Sequence, residues 1–400
     1  MKKILYIHHG KGLGGAPLSL LYLIKNLDKT KYEPVVLFLH DSQAVNMFKE
    51  HGINVVGVVG LNDFSHTKIY WYKWYHAKYF LRSLLDSFKT YFFVADKWLK
   101  QVKPDIVHLN TSTLFIWGKV AKKLNIPVIT HIREPLSEGY LGIRRAFIKN
   151  RVSKYSDFIA PISQNDALPW KNNPKTRIVY NAVDITKFDK NLNLQDFFKK
   201  YNLNNFDPKI LFLGGLSQEK GTLTVFKIFE QILKLIPDAK LIVAGYFEPN
   251  FNGNYFKKII STNQRYAKQV LKILERVKDS VIFTGSIDSP ENLLAMCDVL
   301  LNPFTVGHFS RPIIEAGFME KPVLASKLAP LDELVIHGTT GYLIDPNNIG
   351  LWVEKLYAVL TNKKLNEQLS KNAYEFCNKN FNIFDQIKKI ENLYDSCLLL

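Results

Sequence analysis

Cysteines and long apolar segments are scarce in this 400-residue sequence. The three cysteines, Cys297, Cys377 and Cys397, are odd in number and far apart, so their spacing predicts neither a disulfide framework nor a metal site. A few scattered cysteines are typical of proteins in the reducing cytoplasm. No apolar run approaches the roughly 18–20 residues of a membrane-spanning helix. The four-residue apolar run near the N-terminus is too short for a secretory signal, so we expect a cytoplasmic protein.

Several catalytic and metal-binding motifs are also missing. There is no His-x-x-x-His, Cys-x-x-Cys or Asp-x-Asp arrangement, so we expect no metal. There is no Gly-x-Ser-x-Gly elbow of a hydrolase, and the Gly-rich segment 214–221 lacks the Walker spacing of an NTPase. The apolar fraction of 47% and the charged fraction of 22% are those of a globular protein, and the length allows two domains.

Positive charge is unevenly distributed along the chain. Residues 1–185 contain 27 Lys and Arg against 13 Asp and Glu, whereas residues 186–400 contain 26 against 23. A basic first half indicates an anionic partner, which could be nucleic acid, an anionic membrane surface or an anionic substrate. Nucleic acid is the least favoured of the three, because no nucleic-acid-binding module is recognisable.

Short apolar segments alternate with helical patterns throughout, which predicts an α/β fold with parallel sheets. Residues 189–208, rich in Asn, Lys and Asp, interrupt this alternation and predict a linker with a small helix. We therefore predict two Rossmann-like domains, 1–188 and 209–380, that face a cleft at the carboxyl ends of their strands. The segments predicted as strands are 4–8, 35–39, 55–59, 106–109, 128–130, 158–162, 178–180, 210–213, 241–244, 281–283, 299–301, 323–325 and 341–344.

Residues 70–102 predict one or two helices with apolar residues at three- and four-residue spacing. Segment 68–103 also contains eight Lys or Arg and many aromatic residues. Such a helix can lie in a membrane interface, or its apolar stripe can pack on the sheet while the lysines face solvent. We favour packing for the later helix and a membrane-facing surface for residues 70–75, which the basic helix 142–154 could extend. The stripe consists of Trp74, Ala77, Leu81, Leu84, Phe88, Tyr91, Ala95 and Trp98.

The Gly-rich turn at residues 10–15 fits the dinucleotide fingerprint Gly-x-Gly-x-x-Gly between a strand and a helix. The fingerprint also requires an acidic residue after the second strand, and Asp41 stands there. An NAD-dependent dehydrogenase is therefore one alternative, and a tight turn without a ligand is another. We favour a turn that faces phosphate or sugar, because glycines let a ligand approach the backbone.

Segment 302–326 combines a strand end, a loop and a helix that is predicted to begin near Pro312. A helix N-terminus attracts anions, and the planar fork of Arg311 suits phosphate. Lys220 is either a charge beside a diphosphate or a solvated lysine in the first turn of a helix. His131, in Thr-His-Ile-Arg-Glu after a strand, stands where a catalytic residue is expected, and a structural histidine is the alternative.

Over nearly its full length the chain resembles the retaining GT-B glycosyltransferases of group 1 (family 4). The segments that carry the resemblance, in order, are the Gly-Gly turn at 14–15, KPDIVH (103–108), THIRE (130–134), IVYNAVDITKF (178–188), FLGGLSQEKG (212–221), VIFTGSI (281–287), MCDVLLNPF (296–304), RPIIEA (311–316) and ELVIHGTTGYLI (333–344).

The resemblance implies that the first domain meets an acceptor and the second binds a nucleotide-diphospho-sugar, with neither metal nor other cofactor. It implies that Lys220 and Arg311 face the donor diphosphate, that Glu315 holds the ribose hydroxyls and that His131 lies beside the transferred sugar. His131 and Glu315 are the catalytic candidates. A final helix, 381–400, is expected to cross back onto the first domain. The other implied donor-binding positions are Gly14, Gly15, Gly215, Gly285, Ile287, Gly307, Phe309 and Ser310.

Three positions depart from the family pattern. Gly307 stands where the first of two glutamates is usual, eight positions before Glu315, and that glutamate normally contacts the donor sugar. Residues 214–215 read Gly-Gly instead of Gly-Arg, and residues 181–184 read Asn-Ala-Val-Asp instead of Asn-Gly-Val-Asp. Two hypotheses follow. One is an active retaining transferase for a glycan or lipid-linked acceptor, peripheral on the inner face of the membrane. The other is a catalytically weak nucleotide-sugar-binding subunit.

Overall fold

The computed structural model describes residues 1–10, 12, 14–64, 77–181, 183–188, 192–201, 203–204, 207–245, 254–287 and 290–400, without the side chains of residues 140 and 254–264. The chain divides into two compact units. Unit 1 comprises residues 1–183 together with 383–400, and unit 2 comprises residues 184–382. The last helix therefore belongs to the same unit as the N-terminal strands.

Two six-stranded parallel sheets form the centres of the units. Their strands are β1 (Lys2–His8), β2 (Tyr32–Phe38), β3 (Asn54–Val58), β4 (Ile106–Leu109), β5 (Val128–Ile132), β6 (Phe158–Pro161), β7 (Lys209–Phe212), β8 (Lys240–Ala244), β9 (Val281–Gly285), β10 (Val299–Asn302), β11 (Val323–Ser326) and β12 (Gly341–Ile344). The strand orders are β3-β2-β1-β4-β5-β6 and β9-β8-β7-β10-β11-β12. Both are the doubly wound Rossmann order, which places a ligand crevice between β1 and β4 and between β7 and β10.

Helices cover both faces of each sheet, which is why the strands are apolar almost throughout. The helices are α1 (Gly15–Asn26), α2 (Gln43–Glu50), α3 (Ala77–Lys89), α4 (Ala95–Val102), α5 (Phe115–Lys123), α6 (Ile143–Tyr155), α7 (Gln164–Ala167), α8 (Gln195–Lys200), α9 (Thr222–Leu235), α10 (Asn254–Val277), α11 (Pro290–Met296), α12 (Arg311–Phe318), α13 (Ile349–Thr361), α14 (Lys363–Phe381) and α15 (Ile383–Leu398). In unit 1, α1 and α15 pack with one face of the sheet, and α4 and α5 pack with the other. Among the described helices, none combines the length and apolar character needed to cross a bilayer.

The alternation of apolar segments predicts these strands well, with one exception. The segment 178–180 is not a strand. Val179 of this segment and the preceding Arg177 donate to the carbonyls of Pro161 and Ile159, both at 2.9 Å, so the stretch runs alongside β6. The pairing with β6 is limited to an isolated bridge between Ile159 and Thr176 and does not continue as a regular ladder.

Helix α3 buries its polar side and exposes its apolar side, the reverse of what the sequence predicts. Its stripe residues Leu81, Leu84 and Phe88 are 59%, 42% and 56% exposed, so the packing predicted for this stretch is wrong. The buried side of α3 holds polar residues instead: Ser83 donates to the Asp63 carbonyl (2.9 Å), and Asp86 accepts from Asn62. Packing holds only farther along, where Ala95 and Leu99 are buried and Trp98 and Tyr91 are partly buried. Residues 70–75, and Trp74 with them, lie outside the described residues.

Candidate active site

The loops that follow β7, β8 and β9 are joined through glycines. The Gly215 amide donates to the Ala244 carbonyl (2.9 Å), and the Gly245 amide donates to the Gly285 carbonyl (2.8 Å). Gly215, Gly245 and Gly285 have φ angles of 56°, 116° and 71°, which favour glycine. Two of the predicted donor-binding positions, Gly215 and Gly285, are thereby linked through one hydrogen-bonded edge of unit 2. A third, Ile287, is half-buried two residues after Gly285.

Lys220 lies in the loop between β7 and α9, and this loop is attached to the one that follows β10. The Thr305 amide donates to the Glu219 carbonyl (2.8 Å). Gly221, with a φ of 78°, precedes α9, and a Cβ at this position would collide with the Pro303 carbonyl. Since β7 and β10 flank the crevice of unit 2, these contacts hold both crevice loops together and place Lys220 at the crevice.

Lys220 is partly shielded from solvent and lies near a second titratable group, His308. Burial lowers the pKa of Lys220, and the charge of Glu219 opposes that shift. Burial also lowers the pKa of His308, and the positive charge of Lys220 adds to the effect. The His308 ring stacks on Phe304 with a centroid separation of 4.4 Å. Lys220 and the loop after β10 therefore share one electrostatic environment.

The first two turns of α12 carry the other charged candidates. The helix begins at Arg311, one residue before the predicted start at Pro312. Nε of Arg311 lies 2.7 Å from Oε1 of Glu315, and the two side chains are 16% and 3% exposed. The preceding Ser310 is buried and donates to Oδ1 of Asn302 at the end of β10 (3.1 Å). Phe309 meets the Phe381 ring edge-on. Arg311 and Glu315 form one ion pair, so a ligand at this helix end would meet them together.

Gly307 has a packing reason to be glycine. A Cβ at this position would collide with the backbone carbonyl of Ala329 and approach Leu328 at 3.7 Å. A glutamate could be placed there only if the segment that contains Ala329 moved. The departure from the family pattern is therefore built into the packing of this loop.

At Gly14 and Gly15, unlike Gly307, a side chain would have room. A Cβ on either residue would meet nothing within 4 Å, and Gly14 has an ordinary φ of −72° before α1 begins at Gly15. Neither packing nor backbone conformation requires glycine here, and the turn leaves open space. Lys11 and Leu13 of the same turn lie outside the described residues, and Asp41 is exposed in the segment after β2.

In unit 1, His131 ends a buried chain of hydrogen bonds that begins on β1. Oη of Tyr6 lies 2.7 Å from Oη of Tyr394 on α15, which lies 2.8 Å from Nδ1 of His108 on β4. Nε2 of His108 then lies 3.2 Å from Nδ1 of His131 on β5. All four side chains are at most 2% exposed. The terminal helix thus supplies a polar group to the strands that bracket the crevice of unit 1.

These contacts indicate which ring nitrogens carry protons. Burial lowers the pKa of His108 to about 3 and holds the pKa of His131 well below 6.5, and the charge of Arg133 adds to both shifts, so both imidazoles are neutral. If Tyr6 donates to Tyr394 and Tyr394 donates to His108, then His108 donates from Nε2 to Nδ1 of His131, and His131 carries its own proton on Nε2. The reverse direction would leave the buried Tyr6 proton without an acceptor among the described residues. An interaction with the Val179 backbone raises the pKa of His131 slightly against the effect of burial. Nε2 of His131 nevertheless makes no hydrogen bond of standard geometry among the described residues.

Arg133 connects the strand ends of unit 1. Its Nε donates to Oδ1 of Asn110 (2.5 Å), and its Nη1 donates to Oδ1 of Asn181 (2.6 Å). Asn110 in turn donates to Nδ1 of His8 (2.8 Å). Of the residues the structure describes, no group of three or more His, Cys, Asp or Glu is arranged to hold a metal ion.

Sequence reasoning does not single out His108, Arg133 or Tyr394 as site residues. His108 and Arg133 do have a signal, because each stands at or just after the end of an apolar strand, as His131 does. Tyr394 has none, since it is one aromatic residue in an amphipathic terminal helix. Only the packing of α15 against β1 and β4 places it beside the histidines.

Curated relatives match different shares of the chain. The N-acetyl-alpha-D-glucosaminyl L-malate synthase of Bacillus anthracis is 24% identical over 224 residues, 56% of this chain and 54% of the relative, so the chain spans about half its length. The UDP-Gal:alpha-D-GlcNAc-diphosphoundecaprenol alpha-1,3-galactosyltransferase of Escherichia coli is 25% identical over 331 residues, 78% of this chain and 79% of the relative. The alpha-monoglucosyldiacylglycerol synthase of Streptococcus pneumoniae is 27% identical over 308 residues, 70% of this chain and 65% of the relative.

Solved structures share the whole fold at low identity. HepE of Anabaena in complex with UDP aligns with a TM-score of 0.78 at 19% identity, over 99% of this chain and 100% of HepE. The sucrose-phosphate synthase of Thermosynechococcus elongatus aligns with a TM-score of 0.69 at 17% identity, over 99% of both chains. These alignments establish the two-sheet GT-B fold.

Two family models match consecutive parts of the chain. The model described as Glycosyltransferase Family 4 matches residues 13–187, and the model described as Glycosyl transferases group 1 matches residues 194–376. Together they span both units, in the order that the resemblance predicts. The chain belongs to the group 1 (family 4) glycosyltransferases of the GT-B fold.

Proposed function

We propose that the protein transfers a sugar from a nucleotide-diphospho-sugar to a hydroxyl of a glycan or lipid-linked acceptor, with retention of the anomeric configuration. The observation that carries the proposal is the pairing of Arg311 with Glu315 on the same crevice that holds Lys220. The names of relatives point to similar chemistry, since one is a galactosyltransferase that uses UDP-Gal and another synthesises a glucosyl diacylglycerol. Family membership also removes the reason for the dehydrogenase alternative at Asp41.

In the proposed mechanism the bond between the sugar and the diphosphate breaks as the acceptor oxygen attacks the same face of the sugar. Lys220 and Arg311 stabilise the negative charge that develops on the departing diphosphate. The acceptor proton passes to an oxygen of that diphosphate. Glu315 binds the ribose hydroxyls, and the neutral His131 donates from Nε2 to the transferred sugar. The positive charge comes from side chains, so we propose that no metal is needed and that excess EDTA leaves the rate unchanged.

A panel of UDP- and GDP-sugars, read by thermal shift and by release of the nucleotide diphosphate, tests this function. One donor should stabilise the protein and be consumed. Glu315→Gln should weaken its binding about tenfold or more, because a charged hydrogen-bond acceptor is lost. Glu367→Gln, at a side chain 67% exposed in unit 2, is the matched control and should bind as wild type. Donor binding without turnover would support the nucleotide-sugar-binding subunit instead, and absence of binding by every donor would contradict both hypotheses.

We further propose that unit 1 docks on an anionic membrane surface through α3 and the start of α6. The exposed stripe of α3 lies beside the exposed basic residues Lys78, Arg82 and Lys89. The stripe and its π-helical continuation expose large apolar side chains, namely Tyr79, Leu81, Leu84, Leu85, Phe88, Phe92 and Phe93. An amphipathic helix with apolar and basic side chains on one exposed face suits the headgroup region of a bilayer.

Helices α3 and α6 pack against the same buried ring. Phe64 contacts Phe80 of α3 and Phe147 of α6, with ring centroids 6.3 and 6.2 Å apart. On α6, Ile143 and Phe147 are 69% and 40% exposed. Both helices therefore pack on Phe64, and each exposes apolar side chains. The basic half of the chain supplies the charge that attracts anionic lipid.

Flotation with vesicles tests the membrane proposal. The wild type should float with anionic vesicles at low salt, less at high salt, and poorly with neutral vesicles, because salt screens the lysines. The double variant Leu85→Asp/Phe88→Asp should lose flotation, since each apolar side chain contributes about 1.5–3 kcal/mol when buried. Leu168→Asp, at a leucine 56% exposed elsewhere in unit 1, is the control and should float. Equal flotation of the double variant and the wild type would contradict the proposed surface.

A further inference from the structure

A small cavity in unit 1 lies beside His131 and collects hydrogen-bond donors without partners. It is lined by α1, the end of β5, the segment 179–181 and α15. Arg133 and Ser19 are among its lining residues, and neither Nη2 of Arg133 nor Oγ of Ser19 has a hydrogen-bond partner among the described residues. His131 lines the same cavity. Buried donors are almost always paired in folded proteins, so two unpaired donors around one cavity point to a ligand with acceptor atoms.

The charge of Arg133 narrows the chemistry of that ligand. Its two hydrogen-bond partners are the neutral amide side chains of Asn110 and Asn181, and within the described part of the chain it forms no ion pair with a carboxylate. Glu134 contributes only a weaker attraction at longer range and binds the Thr111 hydroxyl. Burial lowers the pKa of Arg133 to about 9, which leaves the guanidinium charged at neutral pH. A cation that is largely withdrawn from water and has no counter-ion is costly, and a bound anion relieves that cost.

We infer that Arg133 and Ser19 bind an anionic oxygen group, a phosphate or a carboxylate, of a substrate positioned beside His131. This inference rests on the proposed transferase function for the identity of the substrate, but not for the binding of the anion. The planar guanidinium still has Nη2 to donate, and the Ser19 hydroxyl adds a second donor from α1. Two substrates could bring the anion: an acceptor that carries a phosphate or carboxylate, or the diphosphate of the donor.

Binding of inorganic phosphate, measured by thermal shift at constant ionic strength, tests the inference. Phosphate should stabilise the wild type, and Arg133→Gln should weaken its binding about ten- to a hundredfold, since a charged hydrogen bond contributes about 1.5–3 kcal/mol. Ser19→Ala should weaken it less. Arg133→Lys, which keeps the charge, should fall between the wild type and Arg133→Gln. Asn110→Ala, which removes one Arg133 contact outside the cavity lining, should retain most phosphate binding.

A parallel titration with UDP distinguishes the two sources. If Arg133→Gln loses phosphate binding but binds UDP as the wild type does, the subsite belongs to the acceptor. If both are lost equally, the subsite holds the donor diphosphate. Equal phosphate affinity of the wild type, Arg133→Lys and Ser19→Ala would overturn the inference even if Arg133→Gln failed to fold. That result would leave the proposed transfer reaction standing, because donor turnover is measured separately.

Discussion

Replacing Lys220 with methionine is expected to lower kcat about 10²–10³-fold while the melting temperature changes little. This range is typical of removing one group that stabilises charge in the transition state. Lys220 is suited to this role because it is half-buried at the crevice of unit 2, where a positive charge interacts strongly with a departing diphosphate. The ammonium makes no ion pair within the described residues and is attracted only by the charge of Glu219, so its loss should cost little stability.

Lys227→Met is the matched control for this experiment. Lys227 is exposed on α9, seven positions after Lys220, and lies outside the crevice loops. The control variant should keep wild-type kcat and wild-type stability. If Lys220→Met instead lowered the melting temperature and left kcat within a few-fold of wild type, Lys220 would be a structural lysine of the first turn, and the diphosphate would have to be held elsewhere.

The fold could be predicted closely from the sequence because parallel strands that are buried on both faces consist of short runs of apolar residues. Both domains could be predicted in this way, down to the Gly-rich turn after the first strand of each. For α3 the pattern of polar and apolar residues is a weaker guide to which face is buried. Its apolar stripe predicts a core-facing helix, but the loop before it has backbone groups that Ser83 and Asp86 satisfy, so the polar side turns inward.

The site could be predicted where one loop carries the relevant residues. Lys220 after a Gly-rich turn and Arg311 at a helix start are local patterns. The ion pair between Arg311 and Glu315 is also local, since residues four apart on a helix face each other. The requirement for glycine at position 307 does not come from neighbouring residues in the sequence. It depends on the Ala329 carbonyl, more than twenty residues later in the chain, and the sequence contains no sign of that approach.

The environment of His131 is even less local, because its neighbour His108 is contacted by Tyr394, which lies 286 residues after His108 in the sequence. This arrangement predicts a second large effect. His131→Ala is expected to lower kcat by about 10²-fold or more, since the Nε2 donor to the sugar is lost. Because burial keeps the pKa of His131 well below 6.5, the ring stays neutral, and the wild-type kcat should show no inflection from His131 between about pH 6 and 8.

Tyr394→Phe separates the role of the hydrogen-bond chain from that of packing. The variant keeps the buried ring but removes the hydroxyl that contacts Tyr6 and His108, and kcat is expected to fall about three- to tenfold with KM nearly unchanged. If the hydroxyl acts by keeping the His131 proton on Nε2, Tyr394→Phe should have no further effect on kcat in the His131→Ala background. An equal loss of kcat in both backgrounds would mean that Tyr394 supports the fold of unit 1 without directing His131.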